Sequence, residues 1–204
     1  MTVQGGAGGG IVVVRHGRTR ANAHGLLLGR ADPELDDLGR RQADALAAVL
    51  RATCGPIAQV VASPLRRTRD TAAALGLPVE VDDRFVELDY GDWDGRPVAD
   101  VPAEVWARWR AEEDFAPPGG ESLAALDRRV RAACEDLVPA ARAGTVVVFT
   151  HVSPLKAAVA WALGVGGATS WRTRVDPASV TRIDVAGPVP VLRSFNETAH
   201  LVGC

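Results

Sequence analysis

The sequence predicts an α/β fold, a three-layer α/β/α sandwich around a mainly parallel central sheet. Short, continuously apolar, β-branched runs recur along the 204 residues, as strands covered on both faces require. Helical periodicities separate them, the alternation that builds a layered α/β domain. Three of the runs also end in polar segments that turn through Gly or Pro into a helix, placing chemistry beyond the carboxyl ends of strands, where open α/β sheets bind ligands.

Taken in order, "MTVQGGAGGG" reads as a flexible glycine-rich tail over 1–10. It has no basic n-region and no long apolar stretch, so it is not read as a secretory signal. Residues 11–204 then form one domain, since neither a repeat nor a break in composition divides them. Ile11–Val14 is the first strand. The stretch 38–55 is a helix with Leu38, Ala45, Leu46, Val49 and Leu50 on one face, closed by Gly55. "IAQVVAS" is the second strand, and Pro64 suits the first position of a helix reaching about Ala74. Val79–Val81 is a short strand or extended connection. "FVELDYGDWDG" carries too many glycines and acids for a regular element and is a loop. "VPAEVWARWRAEEDF" is a helix with Val105, Trp106 and Trp109 on one side, part of a small helical cap over about 98–118. "APPGGES" interrupts the chain before a long helix from Glu121 through Arg142. "TVVVFT" is the third clear strand, and the chain is helical again beyond Pro154. "SVTRIDVAG" and "PVLRSFN" are late strands joined at Gly187-Pro188.

Bulk properties narrow the function. Apolar residues make up 47% of the chain, enough for a packed core. A net charge of −2 and a pI near 6.1 argue against a general nucleic-acid or membrane-surface binder. The three cysteines lie far apart with no CxxC or Cys/His pattern, so neither a zinc site nor a disulfide framework is expected, and a reducing cytoplasm is the natural compartment. No segment approaches the roughly 20 apolar residues of a membrane span.

The strand-ending segments are "VVVRHG", "VVASPLRRTRDT" and "VVVFTHVSP". One rim would gather Arg15, His16, an arginine of the Arg66/Arg67 pair and His151 near helix N-termini. That is a poor core but a good pocket for a phosphoryl group, which arginine's planar fork pairs bidentately.

"RHGRT" with Asn22 behind it, "SPLRRTRDTA", "ELDYGDWDG", "PPGGES" and "FTHVSPLK" occur in one order from Ile11 to the terminal "FNETAHL". The chain thereby resembles the histidine phosphatase, or phosphoglycerate-mutase-like, superfamily over nearly its whole length. The resemblance implies that His16 is the nucleophile that becomes phosphohistidine, with Arg15 beside it. Arg67 matches the pocket arginine and His151 the second histidine, which holds phosphoryl oxygens. Glu87 matches the proton donor, and Asn22 and Val152 are counted with the phosphate-binding positions. No metal or other cofactor is implied, since arginines neutralise the charge; a homodimer is common in the family. The physical reading agrees: the nucleophile must be unprotonated at one nitrogen, and an acid must reach the leaving oxygen.

Other residues have plainer readings. Arg18, Arg20, Arg66 and Arg69 are surface or salt-bridging groups, and Ser122 caps the long helix. His24 lies in a solvated loop, and His200 is structural. The five tryptophans are mostly core, with Trp93 and Trp106 able to border the entrance. His151-Val152-Ser153-Pro154 departs from the frequent His-Gly-Gly and is similar to phosphatases of the α-ribazole-phosphatase type, including actinobacterial acid phosphatase domains, which are sometimes fused behind another domain. The resemblance favours a phosphomonoesterase for a small metabolite over a phosphoglycerate-type mutase. A mutase would carry a cationic insertion between Glu87 and His151 that this chain lacks. A non-catalytic phospho-ligand-binding module would be expected to have lost part of the set.

Overall fold

The computed structural model of the protein describes residues 9–204. Most of the expected tail falls on residues 1–8, outside the described residues, and β1 (Gly10–Arg15) already begins at Gly10. There follow α1 (Arg20–Ala23), α2 (Asp37–Thr53), β2 (Ile57–Ala62), α3 (Arg66–Ala73), β3 (Glu80–Val81), α4 (Ala103–Ala111), α5 (Leu123–Ala143), β4 (Thr145–Thr150), α6 (Val152–Leu163), β5 (Val180–Asp184) and β6 (Val191–Glu197). Short 3-10 turns lie between, among them Gly91–Trp93 in the acidic loop and Gly167–Trp171 after α6.

The strands form one sheet in the order β3-β2-β4-β1-β5-β6. β1, β2, β3 and β4 run parallel to one another, while β5 pairs antiparallel with β1 and β6 antiparallel with β5 at one side. The sheet is thus mixed and mostly parallel, in the expected three layers. Every residue of β4 is buried, because helices cover both of its faces. Alternate residues divide between two cores. Ile11, Val13, Val146 and Val148 pack with Leu126, Val130 and Leu155 of α5 and α6. Val12, Val14, Val147 and Phe149 pack with Leu46 and Leu50 of α2. This is the period-two consequence of a sandwiched sheet.

Several boundaries differ from the sequence reading. α3 starts at Arg66, with Leu65 as N-cap, so Pro64 belongs to the preceding turn. In that turn the Ser63 carbonyl accepts from Thr68 Oγ1 at 2.9 Å. α6 starts at Val152, so Pro154 sits inside the first turn, where its missing N–H has no intrahelical acceptor to lose. α4 ends at Ala111, well before Phe115. The buried stripe of α2 consists of Gly39, Gln42, Ala43, Leu46, Ala47 and Leu50, whereas Leu38, Ala45 and Val49 are only half-buried. At the helix start a Cβ on Gly39 would lie 2.0 Å from the Arg18 carbonyl oxygen, so the turn after β1 can press directly against the helix there. No described helix is long and apolar enough to cross a membrane.

Candidate active site

The parallel ladder of β1 and β4 pairs Arg15 with Thr150, and the His16 N–H donates to the Thr150 carbonyl at 3.0 Å. The next residues outward are therefore His16 and His151. Their rings meet edge-on, 5.1 Å between centroids and 63° between planes. β2 ends beside β4 in the same way: Ser63 N–H donates to the Phe149 carbonyl, and Ser63 Oγ lies 2.7 Å from His151 Nε2.

His16 is buried, and its Nδ1 lies 2.7 Å from the Gly17 carbonyl. A carbonyl can only accept, so Nδ1 carries the proton and Nε2 keeps its lone pair. Burial first, then the Arg67 and Arg15 charges, holds this imidazole well below its ordinary pKa. Gly17 is required by close approach: a Cβ there would lie 2.5 Å from the Gly39 carbonyl oxygen of α2. Thr71 Oγ1 accepts from the Gly17 N–H at 3.0 Å and fixes the turn.

Arg67, fully buried, donates from Nε to His151 Nδ1 at 3.2 Å, from Nη1 to the Ala31 carbonyl at 2.7 Å and from Nη2 to the Gly29 carbonyl at 2.9 Å. One N–H on each terminal nitrogen remains for another acceptor. Because arginine can only donate, His151 Nδ1 accepts and its Nε2–H points to Ser63 Oγ. Both ring nitrogens of His151 thus have protein partners. Its pKa is also held well below the ordinary value, by burial and then by Arg67. Arg15 donates from Nη1 to the Val175 carbonyl at 2.7 Å, while its Nε is buried without a protein partner. Desolvation lowers this guanidinium to about 10, against the opposing pull of Glu87.

Glu87, 3% exposed, turns its carboxylate to the N-terminus of α6. Oε2 accepts from Val152 N–H at 3.0 Å, and Oε1 accepts from Ser153 N–H at 3.1 Å and Leu88 N–H at 2.8 Å. A carboxylate suits that position through both the free amides and the helix dipole. Val152, expected among the phosphate-binding positions, has its N–H engaged by Glu87. His16, His151, Arg15, Arg67, Glu87 and Val152 are brought together. Asn22 has another partner set: its Oδ1 accepts from Thr19 N–H at 3.0 Å and Thr19 Oγ1 at 2.9 Å, closing a capping box on α1.

The sequence reading missed three supports. Asp94 accepts from the N–H groups of Gly29 and Ala31 at 2.8 and 2.7 Å, and so shapes the loop whose carbonyls receive Arg67. Its place in "DWDG" was the available signal. Arg129 donates to the carbonyls of Arg84 and Glu87 at 2.6 and 3.3 Å and pairs with Glu121 at 2.8 Å through two nitrogens, tying α5 to the segment that carries Glu87. Gly91 allows the acidic loop to pass under "PPGG", since a Cβ would lie 2.1 Å from the Pro118 carbonyl oxygen and its φ is +52°. Arg66 is exposed and pairs with Glu34 and Asp70, Arg18 pairs with Asp36, and His200 lies 3.0 Å from the Ala178 carbonyl, as surface and structural groups. His24 is exposed beside a cleft of about 770 Å³ that also meets Arg18, Arg20 and Asp36. Trp93 and Trp106 pack on Trp109, with centroids 5.7 and 5.5 Å away. Among the described residues, no three His, Cys, Asp or Glu side chains gather into a set able to hold a metal ion.

Comparison with known proteins gives one consistent result. Residues 11–198 match the family described as Histidine phosphatase superfamily (branch 1). The bifunctional protein Rv2228c of Mycobacterium tuberculosis is 37% identical over 199 residues, covering 94% of this chain and 54% of that protein; the chain spans about half the length of the first such relatives. Phosphoserine phosphatase 1 of Hydrogenobacter thermophilus is 34% identical over 201 residues, covering 94% of this chain and 93% of that protein. The structure of a mycobacterial glucosyl-3-phosphoglycerate phosphatase, Rv2419c, solved with VO3, superimposes with a TM-score of 0.81 at 33% identity, covering 93% of this chain and 100% of that one.

Proposed function

The chain belongs to the histidine phosphatase superfamily (branch 1), and on that premise we propose that it is a metal-independent phosphomonoesterase that hydrolyses a small phosphorylated metabolite through phosphohistidine on His16. The observation that carries the reading is the state of His16: its Nδ1–H is held by the Gly17 carbonyl, so Nε2 keeps its electron pair between two guanidiniums.

In this reading the phosphoryl oxygens bind the free N–H groups of Arg67 and Arg15 Nε, neutralising charge as it shifts. His151 turns its Nε2–H from Ser63 to a phosphoryl oxygen, and Asn22 reaches the same group from the edge of the loop. The phosphoryl anion also competes with Glu87 for the Val152 and Ser153 amides. Released from those amides and carrying the proton that a monoanionic ester brings in, Glu87 becomes the acid of the reaction. His16 Nε2 then forms the N–P bond as the ester P–O bond breaks, and Glu87 protonates the departing alkoxide. Water, losing its proton to the Glu87 carboxylate, attacks phosphorus and breaks the N–P bond, releasing inorganic phosphate and restoring His16.

The substrate is placed among small phosphate esters; phosphoserine and glucosyl-3-phosphoglycerate, which relatives of this chain are named for, head the panel, with α-ribazole phosphate beside them. A reducing cytoplasm is supported by three free cysteines, two of them buried. A homodimer, and no nucleic-acid or membrane partner, complete the proposal.

The test is hydrolysis of p-nitrophenyl phosphate from acid to neutral pH, with and without EDTA, beside His16→Ala, followed by the metabolite panel with product identification. Phosphate release that survives EDTA and disappears in the variant supports the reading. An isomeric ester in place of inorganic phosphate would make the protein a mutase instead.

A further inference from the structure

Among the described residues, two that are not glycine take a positive φ, Ala178 at +56° and Asn196 at +55°. They meet in one place, beside Arg15 and His16. Asp176-Pro177-Ala178-Ser179 is a turn closed by the Ser179 N–H on the Asp176 carbonyl at 3.2 Å. Its third position is the one that favours glycine in a type II turn, yet it holds a buried alanine. A left-handed alanine costs about 1–2 kcal/mol and persists only where its surroundings over-determine it. Here those surroundings are the nucleophile segment. Ala178 N–H donates to the His16 carbonyl at 3.0 Å, Arg15 N–H to the Ser179 carbonyl at 3.2 Å, and Arg15 Nη1 to the Val175 carbonyl at 2.7 Å.

The turn is gripped from its other side by the terminal "FNETAHL", a motif that the reaction itself leaves unused. β6 bulges there: Phe195 and Asn196 together stand opposite Thr181, between the Ser194–Arg182 and Glu197–Val180 pairs. An extra residue of this kind re-aims a side chain, and asparagine tolerates the left-handed backbone that it takes. Asn196 Nδ2 donates to Asp176 Oδ2 at 2.8 Å, and the Asp176 N–H donates to Asn196 Oδ1 at 2.8 Å. This two-way clasp holds the residue next to Val175, whose carbonyl receives Arg15. We propose that Asn196 is a positioning residue for phosphate binding, fixing the direction of the Arg15 guanidinium through Asp176 and the Val175 carbonyl, a role that rests on the reading of Arg15 as a phosphoryl ligand. Both ends of the Asn196 amide are engaged by Asp176, so it acts through Arg15 and not on the substrate.

Binding of inorganic phosphate to the full chain, followed by calorimetry, tests this without recourse to turnover. Asn196→Asp sets a carboxylate against Asp176. The exchanged pair, Asn196→Asp with Asp176→Asn, restores the clasp with donor and acceptor reversed. Phosphate affinity should fall about tenfold in Asn196→Asp, as loss of one charge-assisted hydrogen bond to the anion implies. It should return to within about twofold of the parent in the exchanged pair, and Asn196→Asp should add nothing to the loss in Arg15→Ala, since the two act in one chain of contacts. Near-ultraviolet circular dichroism verifies folding; should Asn196→Asp not fold, Asn196→Gly keeps the left-handed backbone, removes the clasp and takes its place. Unchanged affinity in the single variant, a further loss in the Arg15→Ala background, or a folded exchanged pair that recovers nothing overturns the proposal. Arg15→Ala binding phosphate like the parent overturns it together with the reading of Arg15. The expected pattern of binding in a chain that hydrolyses no ester would instead uphold the positioning role and remove the phosphatase reading.

Discussion

Substituting Glu87 by Gln separates two roles that the carboxylate holds at once. As a structural group it receives three backbone N–H groups, from Leu88, Val152 and Ser153. An amide can keep its oxygen toward Leu88 and Ser153, but its NH2 then faces the Val152 N–H and leaves that donor without an acceptor. One orphaned buried amide costs about 1–3 kcal/mol, which for a chain of this size lowers Tm by roughly 5 °C. As an acid, the carboxyl supplies a proton that an alkoxide needs and a p-nitrophenolate does not, and general acids contribute about 10²–10⁴ in rate. The expected outcome of Glu87→Gln is a fall of about 10³ in kcat/KM for an alkyl phosphate, or about 4 kcal/mol of transition-state stabilisation. For p-nitrophenyl phosphate the fall should be less than about tenfold. The assay compares the two esters at one pH on the same preparation, with thermal melts beside it. Equal losses for both esters would refute the reasoning: Glu87 would then be an anchor of α6 and not the proton donor.

Three further outcomes are expected. Gly17→Ala drives a methyl group to 2.5 Å from the Gly39 carbonyl, so the nucleophile turn must shift; a loss of about 1–3 kcal/mol in denaturant unfolding and near-complete loss of turnover are expected. Arg129→Lys keeps the charge but not the fork that spans Glu121 and the Glu87 carbonyl, and a stability loss of about 1–2 kcal/mol should accompany lower turnover; a variant melting and turning over like the parent would remove Arg129 from the support of the acid. His16 and His151 both stay neutral when folded, well below the 6.5 of a free imidazole. Below that pH the unfolded chain takes up protons that the folded one refuses, so stability holds its plateau above about 6.5 and declines as pH falls beneath it. His200 adds to this with the same sign. Asp82, Asp176 and Asp184, held below 3.8, lose their contribution only at lower pH. Urea midpoints measured downward from neutral pH should fall in the first window, and less steeply in His16→Gln.

The chain of strands and the ordered motifs were legible because each rests on local information: apolar runs of strand length, a Gly or Pro after them, and charged residues where a core would not tolerate them. His16 and His151 could be found that way, whereas the choice of Arg67 over Arg66 rests on the family resemblance. What they touch could not. Nothing near Glu87 in sequence tells that its carboxylate lies on the amides of Val152 and Ser153, 65 and 66 residues away. Asn22 closes a capping box with Thr19, three residues before it, a partnership that the motif alone does not reveal. Periodicity found Leu46 and Leu50 on the inner face of α2 but not Gly39, where close approach to the turn after β1 leaves no room for a Cβ. Pro64 and Pro154 misplaced the helix starts by two or three residues, since proline is accepted before a helix and in its first turn alike.

The contacts that hold the histidines have a consequence for how the molecule comes into being. Ser63 meets His151 across 88 residues, Arg67 meets it across 84, and Arg15 meets the Val175 carbonyl across 160. Such long-range closures are slow and come after local structure. A growing chain that ends with α5 already contains His16, Arg15, Arg67 and Glu87, yet lacks the strand that lies between β1 and β2 in the sheet. It should be chemically silent until β4 docks. Recovery of turnover during refolding would then mark the final closure of the sheet, later than the return of helical signal.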